Sequence, residues 1–310
     1  DQTAFDLLKK AKKDFPDEII QIKKELQTKL NDPAASFSDI QNLTFKLLKL
    51  DTLNSRFSVD SGIITKLGEE LVSKSQTAIA EIVKNTFDAD ATLCKVIFQN
   101  IGLHNASIII QDDGSGMTRE QLIQGFMRIS TKEKIDNPYS PIYKRKRAGE
   151  KGIGRFATQK LGHKLTIITQ TELSNTAWKL IIDWKMYEDS QELSSIENPL
   201  ITIDKQLLKG TIIIIEELKD PWDEIMIKKL YHYIYSIQST YKIKNLVGGD
   251  PGFNTQFIVR IQNEDRLIAD EESEIYSYAL AEIDGKIDES GFGAINIKRK
   301  RLILDEVITI

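Results

Sequence analysis

The run TAIAEIVKNTFDADAT, residues 77–92, decides how the rest of the chain is read. Glu81, Asn85 and Asp88 stand four and then three residues apart in it. A helix turns about 100° per residue, so the three share one face. Ala78, Ile79, Ile82, Val83 and Phe87 fall on the other side and suit a core. The polar face thus carries two carboxylates and a carboxamide. Asn holds a hard cation through its oxygen, and a Glu one turn earlier is placed to activate a water. Alone, the run reads equally well as an amphipathic helix with a solvated polar face.

Downstream lies SIIIQDDGSGM, residues 107–117. Ser107 to Gln111 reads as a short buried strand that delivers Asp112, Asp113, Gly114, Ser115, Gly116 and Met117 at its end. Two glycines there let the backbone turn sharply and approach a ligand. Asp112 can accept a hydrogen bond from an exocyclic amine such as that of adenine. An ordinary Asp-Gly turn explains the same residues. A third run, RAGEKGIGRFATQKLGHKLTIIT (147–169), places Gly149, Gly152 and Gly154 ahead of a helical stretch, Arg155 to Leu161. Gly162 is expected to stop that helix. A glycine loop feeding a helix N-terminus exposes amide donors to phosphate. The spacing matches neither a Walker loop nor a dinucleotide fingerprint. Gly210-Thr211 then opens the apolar strand TIIIIEEL.

In this order the four runs resemble the GHKL ATPases, the Bergerat-fold group of gyrase-type subunits, heat-shock chaperones, MutL repair proteins, MORC ATPases and sensor histidine kinases. The resemblance covers about 58–218. It rests on E-x-x-x-N-x-x-D-A (Glu81 to Ala89), D-x-G-x-G (Asp112 to Gly116), G-x-x-G-x-G (Gly149 to Gly154) and the late Gly-Thr. The resemblance implies ATP as ligand and Mg²⁺ as cofactor. It implies Asn85 as the magnesium ligand and Glu81 as general base for the attacking water. Asp112 would hold the adenine amine, with Thr211 supporting it through water. Asp88, Gly114 and Gly116 would line the base and ribose, and Met117 would pack on adenine. Gly149, Lys151, Gly152, Ile153 and Gly154 would meet the phosphates. A mobile lid is implied over about 117–150, with Lys132 of a Ser-Thr-Lys run as a further phosphate contact.

Within that lid Thr118 to Phe126 reads as a short helix opened by a capping Thr. The stretch after it, KEKIDNPYSPIYKRKR, argues against a rigid element, with two prolines, an Asn and many charges. Its Lys144 to Arg147 cluster is open to phosphate, nucleic acid or water alone. The three histidines, His104, His163 and His232, fall outside any plausible dimerisation helix, which argues against His-to-Asp phosphotransfer. The Asp88-Ala89-Asp90-Ala91-Thr92 run looks most like the MutL, MORC and heat-shock-chaperone side of the family. That side implies an ATP-dependent homodimer, with a DNA or protein client left open.

Composition fits this reading. The 310 residues suffice for two domains, 28% of them are charged, and the net charge of −4 does not demand a nucleic-acid-coated protein. The single cysteine, Cys94, sits in an apolar run and excludes a disulfide framework within the chain. No apolar run approaches the roughly 20 residues of a membrane span, and no signal-like start is evident, so a cytoplasmic protein is expected.

The expected fold is α+β, a two-layer sandwich of a mixed, mainly antiparallel sheet with helices on one face. Residues 1–56 read as a helical appendage, since Ile19, Ile22, Leu26 and Leu30 recur at helical spacing. Residues 57–220 form the ATPase domain. Residues 221–310 read as a linker helix and the start of a second, transducer-like domain, with strands at 257–261, 277–283 and 295–297. Asp1 in place of Met, and the apolar run ending at Ile310, suggest a fragment. In relatives a lysine from the second domain reaches the γ-phosphate. No lysine here is assignable to that role. The alternatives are a nucleotide-binding scaffold without turnover and a kinase of the same fold.

Overall fold

The computed structural model describes residues 16–51, 57–71, 74–129, 136–147, 156–189, 191–242, 249–268, 281–287 and 293–299. Its centre is an open eight-stranded sheet. The strands are β1 (Leu93–Gln99), β2 (Ser107–Asp112), β3 (Gly162–Gln170), β4 (Thr176–Asp183), β5 (Leu200–Asp204), β6 (Gly210–Leu218), β7 (Asn254–Ile261) and β8 (Glu264–Leu267). They lie in the order β5-β4-β3-β6-β2-β1-β7-β8. Every pairing is antiparallel except that of β1 with β7. The sheet is therefore mixed and mainly antiparallel, as expected.

Strand pleat separates two faces. Val96 and Phe98, Ile108 and Ile110, Leu165 and Ile167, Ile215, and Phe257 and Val259 point the same way and are buried. Helices cover that face. They include α3 (Gly62–Leu71), α4 (Ser75–Asp88), the short α6 (Ala157–Leu161) and α7 (Glu224–Lys242), while the short α5 (Arg119–Gln121) follows β2. Ala78, Ile79, Ile82 and Val83 of α4, Ala157 and Leu161 of α6, and Ile227, Leu230 and Ile234 of α7 join the same core. Each fully buried aliphatic chain contributes about 2 kcal/mol. Trp222, at the entry to α7, packs its ring 5.0 Å from Phe98. Cys94 is buried in this core, which pushes its thiol pKa up and away from reactivity. The opposite face carries a smaller cluster around Ile168, Ala177 and Ile212.

The N-terminal segment is helical where it is described. Helix α1 (Pro16–Asn31) starts at Pro16, where a first-turn proline is tolerated, and α2 (Phe37–Lys49) is capped by the Ser36 hydroxyl. Gln41 of α2 donates to the Ser194 carbonyl at 2.8 Å, so the appendage rests on its own chain.

Gly162 stops α6 as expected, in extended backbone at φ −163° as the first residue of β3. It is a glycine because a Cβ would run into the Glu216 carbonyl on neighbouring β6. The strand expected at 257–261 in a second unit is hydrogen-bonded along β1 in the main sheet, with Val96 opposite Phe257 and Phe98 opposite Val259. The polar stretch after the lid helix is ordered over 138–147. Tyr139 and Lys146 form an antiparallel bridge, and the Ser140 amide donates to the Arg145 carbonyl at 2.8 Å. A separate hairpin, β9 (Ala281–Ile287) with β10 (Gly293–Arg299), lies where strands at 277–283 and 295–297 were expected, residues 277–280 being outside the described residues.

Candidate functional site

Helix α4 ends at Asp88, and the chain then turns through Ala89 and Asp90 into β1. The end of β2 arrives beside this turn. The Ser115 amide donates to the Ala89 carbonyl at 2.8 Å, so the D-x-G-x-G loop is stitched to the C-terminus of α4. A Cβ on Gly114 would also strike the Ala89 carbonyl. The strand end and the helix end thus meet because the loop has no side chain at that contact.

Asp112 lies at the centre of this junction and is 6% exposed. Its Oδ1 accepts from the Gly114 amide at 2.9 Å and the Thr211 amide at 3.2 Å. Among the described residues both hydrogen bonds to this carboxylate end on Oδ1, which leaves Oδ2 for a ligand donor. Burial pushes the carboxyl pKa up to about 7, against the pull of the two amides. A neutral exocyclic amine suits such an acceptor, because it binds without adding charge to a buried site.

Thr169 of β3 completes the floor. Its hydroxyl accepts from the Met117 amide at 2.9 Å and lies 3.0 Å from the Thr211 hydroxyl. Gly116 has φ +66°, and a Cβ there would collide with the Gln170 carbonyl. Gly210, at φ +115°, is pressed in the same way against the Asp112 carbonyl. Two glycines therefore let three strands converge on one carboxylate. Asp113, next in sequence, does structural work instead. Burial opposes its charge, yet bonds from the Thr92 hydroxyl, the Leu93 amide and the Thr92 amide hold its pKa below the ordinary value.

The structure brings Asp88, Asp112, Gly114, Gly116, Met117 and Thr211 to this junction. Asp88 is buried at the end of α4, and Asn85 is exposed one turn earlier. Glu81 is half-buried, and its Oε1 accepts from the Lys84 ammonium at 2.6 Å. Lys132, Gly149, Lys151, Gly152, Ile153 and Gly154 lie outside the described residues. The lid helix α5 (Arg119–Gln121, continuing as a π-turn through Phe126) opens with a capping box. Thr118 accepts from the Gln121 amide at 3.2 Å, and the Gln121 side chain accepts from the Thr118 amide at 2.9 Å.

Sequence reading missed Thr169, Asp90 and Arg145. The Asp90 carboxylate accepts from the Ser140 hydroxyl and from the amides of Ile142 and Tyr143 at 2.8 and 3.1 Å. Arg145 is fully buried and makes a two-pronged ion pair with Asp250, rather than meeting solvent or phosphate as the charge run allowed. A signal existed for Asp90 only, as a non-glycine in a turn beside two alanines.

No group of three His, Cys, Asp or Glu among the described residues could hold a metal ion. Magnesium carried by phosphates takes one or two protein oxygens, and the exposed Asn85 side chain carries an oxygen of that type. No helix among the described residues is long and apolar enough to cross a membrane.

Residues 72–211 match the family model described as "Histidine kinase-, DNA gyrase B-, and HSP90-like ATPase". The DNA mismatch repair protein MutL of Lactobacillus helveticus is 28% identical over 157 residues, 51% of this chain and 24% of that protein. MutL of Lactobacillus acidophilus is 27% identical over 157 residues, with the same coverage. MutL of Buchnera aphidicola subsp. Acyrthosiphon pisum (strain Tuc7) is 28% identical over 114 residues, 37% of this chain and 19% of that protein. The chain thus spans about a quarter or less of the curated relatives it matches. A solved structure of the N-terminal domain of a DNA repair protein aligns at 16% identity over 76% of this chain and 69% of that one, with a TM-score of 0.45, too loose to argue from. With its motifs in family order on the α+β sheet, the region 72–211 matches the GHKL ATPases and is similar, among them, to the MutL proteins.

Proposed function

We propose that this chain binds an adenine nucleotide with magnesium and, as part of its whole protein, hydrolyses ATP to ADP and phosphate. The observation that carries the reading is the buried Asp112 carboxylate, with one oxygen held by two backbone amides and the other left toward the junction. Asp112 accepts from the adenine amine, and Thr211 and Thr169 hold the strand ends that frame it. Asn85 offers its side-chain oxygen to magnesium, and Asp88 closes the base and ribose side. Magnesium, when bound, neutralises phosphate charge and holds the phosphates for displacement. Glu81 orients the attacking water and takes its proton, after its carboxylate is released from Lys84. Lys132, Lys151 and the amides around Gly149, Gly152, Ile153 and Gly154 are the proposed phosphate contacts.

ATP binding orders the lid, and the closed lid exposes a surface for a second copy of the chain. This gives an ATP-gated homodimer switch, compatible with work on DNA and with the ATP supply of the cytoplasm. The nucleotide domain is proposed to run from 57 through β8, since α7 and β7 belong to its core and sheet, with the β9–β10 hairpin as the start of the domain that responds to it. The Glu81–Lys84 pair favours a second reading, in which the chain by itself holds nucleotide without turning it over.

Titration calorimetry with Mg-ADP tests the binding step. Asp112→Asn replaces an acceptor oxygen by a donor, and its expected cost is about 2 kcal/mol, or some thirtyfold in affinity. Unchanged affinity in that variant removes Asp112 from the site. No adenine-nucleotide binding by the parent protein removes the function.

A further inference from the structure

The fully buried Arg145 has no contact with the floor around Asp112. Its Nε and Nη2 donate to the two oxygens of Asp250 at 2.8 and 2.6 Å. Nη2 also reaches the Gly252 carbonyl at 3.0 Å. Nη1 donates to the carbonyls of Ala91 at 2.5 Å and Phe87 at 3.4 Å. The guanidinium is flanked by the rings of Phe87 and Tyr143, with centroids 4.7 and 4.9 Å away. The Arg145 pairing in turn holds the Asp250 carboxyl below the usual carboxylate range.

A buried ion pair costs desolvation and contributes little net stability by default, so its value lies in what it fixes. Here it joins three segments far apart in sequence. They are the C-terminal turn of α4, the ordered stretch 138–147 after the lid helix, and the loop 249–252 ahead of β7. A cation at that helix end is also favoured by the exposed carbonyls. The same turn is gripped again by Asp90, which sits at φ +61° and binds the amides of Ile142 and Tyr143. Asn85 and Asp88 ride on the last turn of the helix so held.

Given the nucleotide reading proposed above, on which this rests, we infer that Arg145 is a positioning residue for the magnesium side of the site. It sets the last turn of α4, and with it the placement of Asn85, and couples that turn to the loop entering β7. The Asp112 carboxylate is held by strand-end amides that Arg145 does not touch, so the two sides separate experimentally. Lysine at 145 keeps the charge but cannot span Asp250 and two carbonyls at once.

The test measures ADP affinity of the full chain by calorimetry, once with magnesium and once with EDTA. In Arg145→Lys the affinity gained from magnesium is expected to shrink about tenfold, a typical coupling between linked sites, while affinity in EDTA stays within about twofold. Hydrogen exchange supplies the coupling readout. Mg-ADP is expected to slow exchange over 139–147 and 249–253 together in the parent protein, and over 139–147 alone in the variant. Equal loss in both buffers marks a purely structural residue and overturns the inference, as does an unchanged magnesium gain. If Arg145→Lys fails to fold, Asp250→Asn carries the same expectation, with a smaller loss of the magnesium gain. A parent protein that binds ADP in neither buffer fails at the nucleotide reading itself and takes this inference with it.

Discussion

On the strand side of the site, every group is pinned by backbone. Asp112 is held by two amides, Thr169 by the Met117 amide, and Gly116 and Gly210 by carbonyls too close for any side chain. On the helix side, Asn85 is exposed and Glu81 leans on a neighbouring lysine. The first region is finished before a ligand arrives. The second is held in place at its end by Arg145 and Asp90, and it presents Asn85 and Glu81 on its outer face. The difference teaches where recognition and turnover reside. On the proposed reading, base recognition would be built into the sheet, and turnover would depend on the helix face.

That contrast can be broken most directly at Glu81. Glu81→Ala is expected to lower steady-state ATP turnover by about 10²–10⁴-fold while leaving nucleotide affinity within about twofold. A phosphate-release assay paired with calorimetry reads both. A variant that turns over as fast as the parent would dissolve the division of labour.

Gly116→Ala probes the opposite side. A left-handed backbone and a carbonyl in the path of the new methyl are expected to cost about 2–4 kcal/mol of folding stability. Urea unfolding measures it. The same substitution at Gly102, where φ is +80° and nothing lies within 4 Å, separates backbone strain from collision.

The smallest effect concerns pH. The Asp112 carboxyl is raised from 3.8 to about 7 in the folded chain. Its protonated form therefore favours folding, fully below about pH 4, and that contribution is lost as pH rises toward 7. Adenine binding runs the other way, because the ionised carboxylate is the better acceptor. Adenosine, which does not titrate in this range, is expected to bind about tenfold more tightly at pH 8 than at pH 6. Competition against a fluorescent nucleotide reads this. A flat profile in the parent protein would place the carboxylate's ionisation elsewhere, and Asp112→Asn supplies the flat control.

Much of the strand side is legible in sequence because its signals are local. The isoleucine runs at 108–110 and 212–215 alternate across the pleat, and the glycines announce turns. The floor residue Thr169 is not legible, since nothing near it in sequence shows that its hydroxyl meets Met117 from 52 residues away. Arg145 is hidden for the same reason. It sits in a run of four basic residues that reads as solvated, and its partner Asp250 lies 105 residues downstream. Gly162 is legible as punctuation but not as to cause, because the obstructing carbonyl belongs to another strand. Local pattern reports which residues can turn or bury; it does not report which distant backbone they will meet.

The parallel seam between β1 and β7 has a practical side. The matched family region stops at residue 211, well short of Asn254, where β7 begins. A polypeptide ended just after β6, which closes at Leu218, would bare one long margin of β1, from Leu93 to Gln99, with its amides and carbonyls facing water. Such a margin is sticky toward other chains. Residues that look like an afterthought to the ATPase region are thus its selvedge, the finished border that keeps the weave from catching on its neighbours.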